Sequence, residues 1–329
     1  MEQQVSKVKK LMKHIPASVS EKMGLVVIML VIIVFFSITT KGLFFNLSKM
    51  TNIINILQAS VLTGIVAVGV TFVIITGGID LSVAGSCVLC AVTSALLMEK
   101  GVAWQFAMLA SIAVGTFVGL LNGLAVTRLK MVPFVTTLAM QNIAEGVAKT
   151  VTNSRTINGL PKEMTIFGQG KLFGTKLPVS VLILLIVFVL GMLLLNRTNY
   201  GRKIYAVGGN AHAAWLAGIN TSSIILLAYV IAGFTSAIGA NIVVSRLQGA
   251  SLSIASDLSM DVVAACVVGG TSLMGGRGTI TGTLIGALII AMINNGLNLM
   301  GVQASVQLIA KGVIIFVVIA YDSLRKRND

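Results

Sequence analysis

Four kinds of residue in this chain could do chemistry, and their spacing decides which chemistry each supports. Cys87-x-x-Cys90 has the spacing of a redox pair, but it lies, like Cys266, inside apolar sequence, where small packing residues are expected instead. The run Val268-Gly269-Gly270-Thr271-Ser272-Leu273-Met274-Gly275-Gly276-Arg277-Gly278-Thr279 has the glycine density of a phosphate loop. It lacks the order G-x-x-x-x-G-K-[ST], which occurs nowhere in the chain, so a tight reversal with close helix packing is expected there. Thr76-Gly77-Gly78-Ile79-Asp80-Leu81-Ser82 interrupts two apolar stretches. Its paired glycines break a helix, and Asp80 or Ser82 can cap the next one. The segment is either a capped reversal at a cytoplasmic helix end or part of a permeation path, since acids and broken helices at membrane depth line cavities. The fourth kind comprises polar groups in apolar surroundings: Asn122, Gln141, Asn142, Glu145, Asp261, Asn294, Asn295 and Asn298. Singly they read as interhelical fastenings, and as a set they suit a route for a neutral, hydroxyl-rich solute. His14 and His212 stand apart, so neither a metal cluster nor a catalytic residue is indicated.

Membrane helices must position these groups. The chain has 329 residues, of which 56% are apolar and 10% charged, with a mean hydropathy of +0.97. Ordinary soluble domains run nearer 45–50% apolar and about 25% charged. A soluble enzyme, a disordered tail and a disulfide scaffold are excluded, and the fold class is all-α, polytopic in the membrane. Ten spans are expected, roughly 23–40, 57–76, 82–98, 104–126, 133–151, 179–195, 224–245, 258–270, 279–299 and 305–321, the eighth being short. Pro133 and Pro178 stand at or just before helix starts, where a missing N–H costs nothing. Gly115, Gly119 and Gly123 form one glycine stripe, and Gly278, Gly282 and Gly286 another; such stripes let helix backbones approach closely in lipid.

Charge supplies the orientation. Lys and Arg number 24 against 10 Asp and Glu. With the N-terminus inside, 14 of the cations fall inside and 9 outside, and Lys311 lies within the last span. Five of the outer nine belong to one hydrophilic stretch, 149–178, so the short outer loops are poor in cations, as the positive-inside rule requires. The net charge of +14 is thus a membrane signature and not a nucleic-acid one. Lys7, Lys9, Lys10, Lys13 and Lys22 precede an uncharged run of 18 residues without a cleavage site, which is expected to remain as a helix. The expected organisation is a cytoplasmic tail over 1–22, one membrane domain over 23–321, and a cytoplasmic tail over 322–329.

One cytoplasmic segment, 200–219, is unusual. Asn210 suits an N-cap, 211–217 is rich in Ala, and Gly218 suits the position after a helix. Two turns are too short to be stable alone, and with Trp215 and Leu216 on the segment a partner protein is expected.

Five motifs in order resemble the membrane permease subunits of monosaccharide ABC importers, the ribose-type permeases of the branched-chain amino acid/ribose permease superfamily. They are Thr76 through Val83; Gly201-Arg202 leading to Tyr205-Ala206-Val207-Gly208-Gly209-Asn210; Ala217-Gly218-Ile219; Gly269 through Leu273 with Gly275-Gly276; and Asn294 through Leu299. The resemblance, over about 50–321, implies a dimer of ten-helix subunits similar to the vitamin B12 importer. It implies a cytoplasmic ATPase that holds ATP and Mg, an extracytoplasmic sugar-binding protein and a bacterial inner-membrane location. This chain itself would bind no cofactor and would be no enzyme. The ATPase-coupling segment would comprise Gly201, Arg202, Gly208, Gly209, Asn210, His212, Ala213, Ala214, Trp215 and Gly218. The family often has an acid at the position of Ala211 or His212 and Arg at that of Trp215; their absence here points to a more apolar joint. Gly77, Gly78, Asp80, Ser82, Asn122, Asn142, Glu145, Asp261, Asn294, Asn295 and Asn298 are the expected lining of the translocation path. The competing expectations are an ion-coupled secondary transporter, which would place its acids near midplane, and a membrane scaffold.

Overall fold

Backbone amides in apolar surroundings must bond within their own segment, and the apolar runs of this chain are helical accordingly. The structure, a computed structural model, describes residues 17–45, 50–172, 174–313 and 316. Its helices are α1 (Ala17–Thr39), α2 (Thr51–Ile75), α3 (Val83–Glu99), α4 (Trp104–Thr127), α5 (Pro133–Thr152), α6 (Val179–Arg197), α7 (Asn199–Gly209), α8 (Ala211–Leu216), α9 (Thr221–Leu247), α10 (Leu258–Val268) and α11 (Ile280–Leu299). Residues 304–313 are also helical. The expected tail over 322–329, most of that over 1–22 and the end of the tenth expected span lie outside the described residues. Among the described residues, α2, α4, α6, α9 and α11 are long and apolar enough to cross a membrane. The chain is a helical, polytopic membrane protein.

Helix α2 is the hub, packed against α6, α9, α10 and α11, and α9 packs along both α2 and α4. The glycine stripes set these distances. Gly115, Gly119 and Gly123 turn toward α9, where a Cβ on Gly115 would lie 2.6 Å from the Gly233 carbonyl and one on Gly119 would overlap the Tyr229 carbonyl. Gly282 and Gly286 turn toward α10 in the same way, against the carbonyls of Gly269 and Ala265. A hydroxyl pair, Thr71 with Thr283 at 2.7 Å, fastens α2 to α11, and the Cys266 thiol of α10 lies 3.5 Å from Thr71.

The hydrophilic stretch 149–178 folds as a cap over one end of the bundle. Its β1 (Ile157–Asn158) pairs antiparallel with β2 (Gly249–Ala250), and a 3-10 turn at Lys162–Ile166 buries Met164. The Ser245 hydroxyl donates to the Met164 carbonyl at 2.5 Å and accepts from the Gly168 amide at 2.9 Å. Arg155 donates two bonds, of 2.7 and 2.6 Å, to the Glu99 carboxylate at the end of α3. That pair of bonds holds the Glu99 carboxyl below its ordinary range and the Arg155 guanidinium above its own. The contact is therefore complete at neutral pH and is lost only as pH falls through the lowered Glu99 value.

The α4–α9 contact has no room for a methyl group. Gly233→Ala, whose Cβ would overlap the Gly115 carbonyl, should destabilise the protein by about 1–3 kcal/mol. Gly146→Ala, facing open space, should not. Thermal unfolding in detergent followed by tryptophan fluorescence separates the two.

Candidate functional site

Two features stand out: a buried break between α2 and α3, and a short helix at the end of the bundle away from the cap. Helix α2 ends where Gly77 takes a φ of +83°, with Gly77 N donating to the Ile74 carbonyl and Gly78 N to the Val73 carbonyl. Helix α10 ends identically: Gly270 has a φ of +87°, and Gly270 and Thr271 donate to Val267 and Cys266. Gly77 and Gly270 are thus equivalent αL residues that close their helices.

Beyond Gly78 the chain is non-helical to Leu81, yet Asp80 is only 1% exposed. Its carboxylate oxygen Oδ1 accepts the Ser82 amide at 2.9 Å and the Ser82 hydroxyl at 2.6 Å. Asn122 of α4 donates to the same hydroxyl at 2.8 Å. The Thr137 hydroxyl of α5 accepts the Leu81 amide at 3.1 Å and lies 3.1 Å from the Ile79 carbonyl. Ser259 of α10 donates to the Leu81 carbonyl at 2.6 Å and accepts the Ala84 amide at 3.3 Å. Three helices therefore clasp one irregular strand of backbone. Asp80, Ser82 and Asn122 meet, with Gly77 and Gly78 leading into them. Sequence reading missed Thr137 and Ser259, since a hydroxyl residue in an apolar helix ordinarily bonds back to its own carbonyls.

The other expected path residues form separate groups. Glu145 lies on α5 with Lys149 at 3.8 Å and Gln141 at 3.3 Å, and Asn142 is exposed on the same helix. Asn295 is tied to Asn52 of α2 by reciprocal amide bonds of 2.8 and 3.0 Å, a fastening of α11 to α2. Asn298 accepts from Gln307 at 2.8 Å. Asp261 of α10 accepts from Asn294 of α11 at 3.4 Å and pairs with Lys311 at 3.1 Å; Lys311 also reaches Asp257 at 3.5 Å. Lys311 and Asp261 have side chains 13% and 14% exposed. A cavity of about 290 Å³ at the capped end is lined by Thr51, Ile54, Asn55, Gln58, Gln169, Lys171, Lys176 and Pro178, none of them among the expected path residues.

At the opposite end, α6 turns into α7 across Thr198, whose hydroxyl accepts from the Gly201 amide. Gly201 packs on the Leu195 carbonyl. Arg202 bonds Asn199. Asn210 ends α7 and caps α8, its Oδ1 accepting the Ala213 amide at 2.9 Å. Gly218, with a φ of +81°, closes α8 by donating to the Trp215 carbonyl, and Ile219 donates to that of Ala214. Ala214 is buried, whereas Trp215 and Leu216 are 61% and 68% exposed and His212 stacks on Trp215. Gly208 does not face outward: it packs against the Ile75 carbonyl and the Gly276 amide.

A family profile described as "Branched-chain amino acid transport system / permease component" matches residues 52–319. The ribose import permease protein of Bacillus subtilis (strain 168) is 39% identical over 279 residues, covering 84% of this chain and 85% of that protein. The ribose import permease protein of Escherichia coli (strain K12) is 38% identical, covering 85% of this chain and 88% of that one. The galactofuranose transporter permease protein of the same strain is 36% identical, covering 83% and 80%. No solved structure matches the chain.

Among the ion pairs of the described residues, Lys311–Asp261 is the one with both side chains largely buried. Lys311→Met should destabilise the protein by about 3–5 kcal/mol, because it strands a buried carboxylate. Adding Asp261→Asn should restore most of the loss, and thermal unfolding of the four proteins of the cycle measures the coupling.

Proposed function

The chain belongs to the branched-chain amino acid transport permease family, and from that premise we propose that it is the membrane permease subunit of an ATP-driven monosaccharide importer. The observation that carries the reading is α8: six residues, capped at both ends, presenting Trp215 and Leu216 to the aqueous end of a membrane bundle. A helix so short is not stable by itself; caps and the buried Ala214 hold it, and the exposed Trp215 and Leu216 leave a face on which a partner can press. That partner is a cytoplasmic ATPase, the holder of ATP and Mg, with α8 as the coupling helix seated in it. Curated relatives named for ribose and galactofuranose import supply the substrate class, a monosaccharide.

The finer architecture belongs to the same proposal: ten crossings, both termini cytoplasmic, a bacterial inner-membrane location, and two copies around a central path as in the vitamin B12 importer. A sugar-binding protein then docks on the capped outer end, which includes the folded stretch 152–178. Released sugar enters the path, and closure of the ATPase pair, acting through α8, turns it inward. The part-buried amide of Asn294 beside Asp261 suits a neutral polyol, which brings no charge that a coupled ion would have to balance.

Two experiments test this reading. Trp215→Glu should abolish co-purification of the ATPase while leaving the folded yield of the permease unchanged; retained ATPase would overturn the coupling role. In proteoliposomes with all subunits, labelled monosaccharides should enter only with ATP, and Asp80→Asn, Glu145→Gln and Asp261→Asn should each keep that requirement. Uptake by the permease alone, driven by a proton or sodium gradient, would favour an ion-coupled carrier.

A further inference from the structure

The coupling end and the buried break are separate sites in sequence, more than a hundred residues apart, yet one contact joins them. Gly208, next to the residue that ends α7, lies against the Ile75 carbonyl so closely that a Cβ there would overlap it. The same carbonyl accepts the Gly276 amide at 2.9 Å. A Cβ on Gly275 would stand 2.9 Å from both the Gly208 carbonyl and the Gly77 amide. Three backbones, α7, the end of α2 and the 269–279 loop, thus touch without intervening side chains. One side chain locks them: the Tyr205 hydroxyl donates to the Gly278 carbonyl at 2.6 Å. Any tyrosine phenol is protonated at neutral pH, and partial burial pushes that of Tyr205 further the same way.

The directions of the two tyrosines of α7 differ. Tyr200 bonds the Ile224 carbonyl of α9 at 3.2 Å, and its ring lies against Phe72 of α2. Tyr205 alone reaches the loop that precedes α11. From Gly77, the next residues are the strand held by Thr137, Ser259 and Asn122, so whatever moves the glycine contact pulls on the Asp80 clasp.

We propose that Tyr205 is a positioning residue which, with the Gly77–Gly208–Gly275 backbone contact, relays displacement of α8 to the break at 76–82. This rests on the coupling role proposed for α8. Backbones in direct contact cannot absorb a shift by side-chain rearrangement, so α7, the loop and the break move together. The hydroxyl of Tyr205 keeps the loop from parting from α7 as they do.

Tyr205→Phe removes that bond and keeps the ring. In the assembled importer it should leave ATPase co-purification and basal hydrolysis unchanged, while sugar-stimulated hydrolysis and uptake fall about tenfold. Tyr200→Phe should keep stimulation within about twofold of the native chain. In the unsubstituted importer, hydrogen exchange at 76–82 and 270–278 should change together when ATP closes the ATPase. Native stimulation with Tyr205→Phe, or exchange that changes at α8 but not at 76–82, would overturn the relay while leaving the coupling role intact. ATPase retained by Trp215→Glu would remove the coupling role itself, and the relay with it.

Discussion

Everything in this fold that is not plain helix depends on one constraint: backbone that leaves a helix inside an apolar bundle must find its hydrogen bonds elsewhere. Each buried polar group left without a partner costs about 1–3 kcal/mol. The segment from Gly78 to Leu81 meets the requirement by recruiting hydroxyls from α5 and α10 and a carboxylate of its own, steadied by an amide on α4. That arrangement explains why those helices are where they are. Asp80 is best seen as part of this backbone satisfaction: it accepts the amide that would otherwise be unpaired at the start of α3, and Ser82 and Asn122 extend the chain outward.

Glycine is the second half of the same physics. In lipid, helices gain nothing by exchanging acyl chains for leucine, so association rests on close approach. The stripes on α4 and α11 give that approach along helix flanks, and Gly208, Gly275 and Gly276 give it where two helix ends and a loop meet. Contacts made this way are stiff, because there is no side chain to change rotamer. A protein that must pass motion from one end to the other benefits from stiffness at the junctions and irregular backbone between them, and the order here is short helix, glycine contact, irregular strand.

Helix positions were legible because charge is scarce: with 10% charged residues, each Lys, Arg, Asp or Glu punctuates the apolar runs, and helices lie on the first nine expected spans. The short eighth span is a real short helix, α10, 11 residues long, or about 16 Å at 1.5 Å per residue. Caps at Asn210 and Gly218 were legible because cap chemistry is local. The grouping of the polar residues was not, since it depends on which helix faces meet. Asn122 reaches Ser82 across 40 positions and Asn295 finds Asn52, but Asn142 and Glu145 stay on a separate face of α5. Thr137 and Ser259 were missed for the converse reason: nothing local distinguishes a hydroxyl that will reach a neighbouring helix from one that will not.

The same reasoning bears on α8. The joint proposed for α8 would rest on Trp215, Leu216 and a stacked His212, an aromatic and apolar face of the kind found at interface cores. Apolar contact is non-directional and gains energy in proportion to area, about 25 cal/mol per Å². Such a joint resists pulling apart but has few directional bonds to resist rotation. Direction must then come from what holds α8 on its own side, namely the Asn210 cap, the Gly218 turn and α7. Behind that helix, Tyr205 and Gly208 bind α7 to the rest of the bundle.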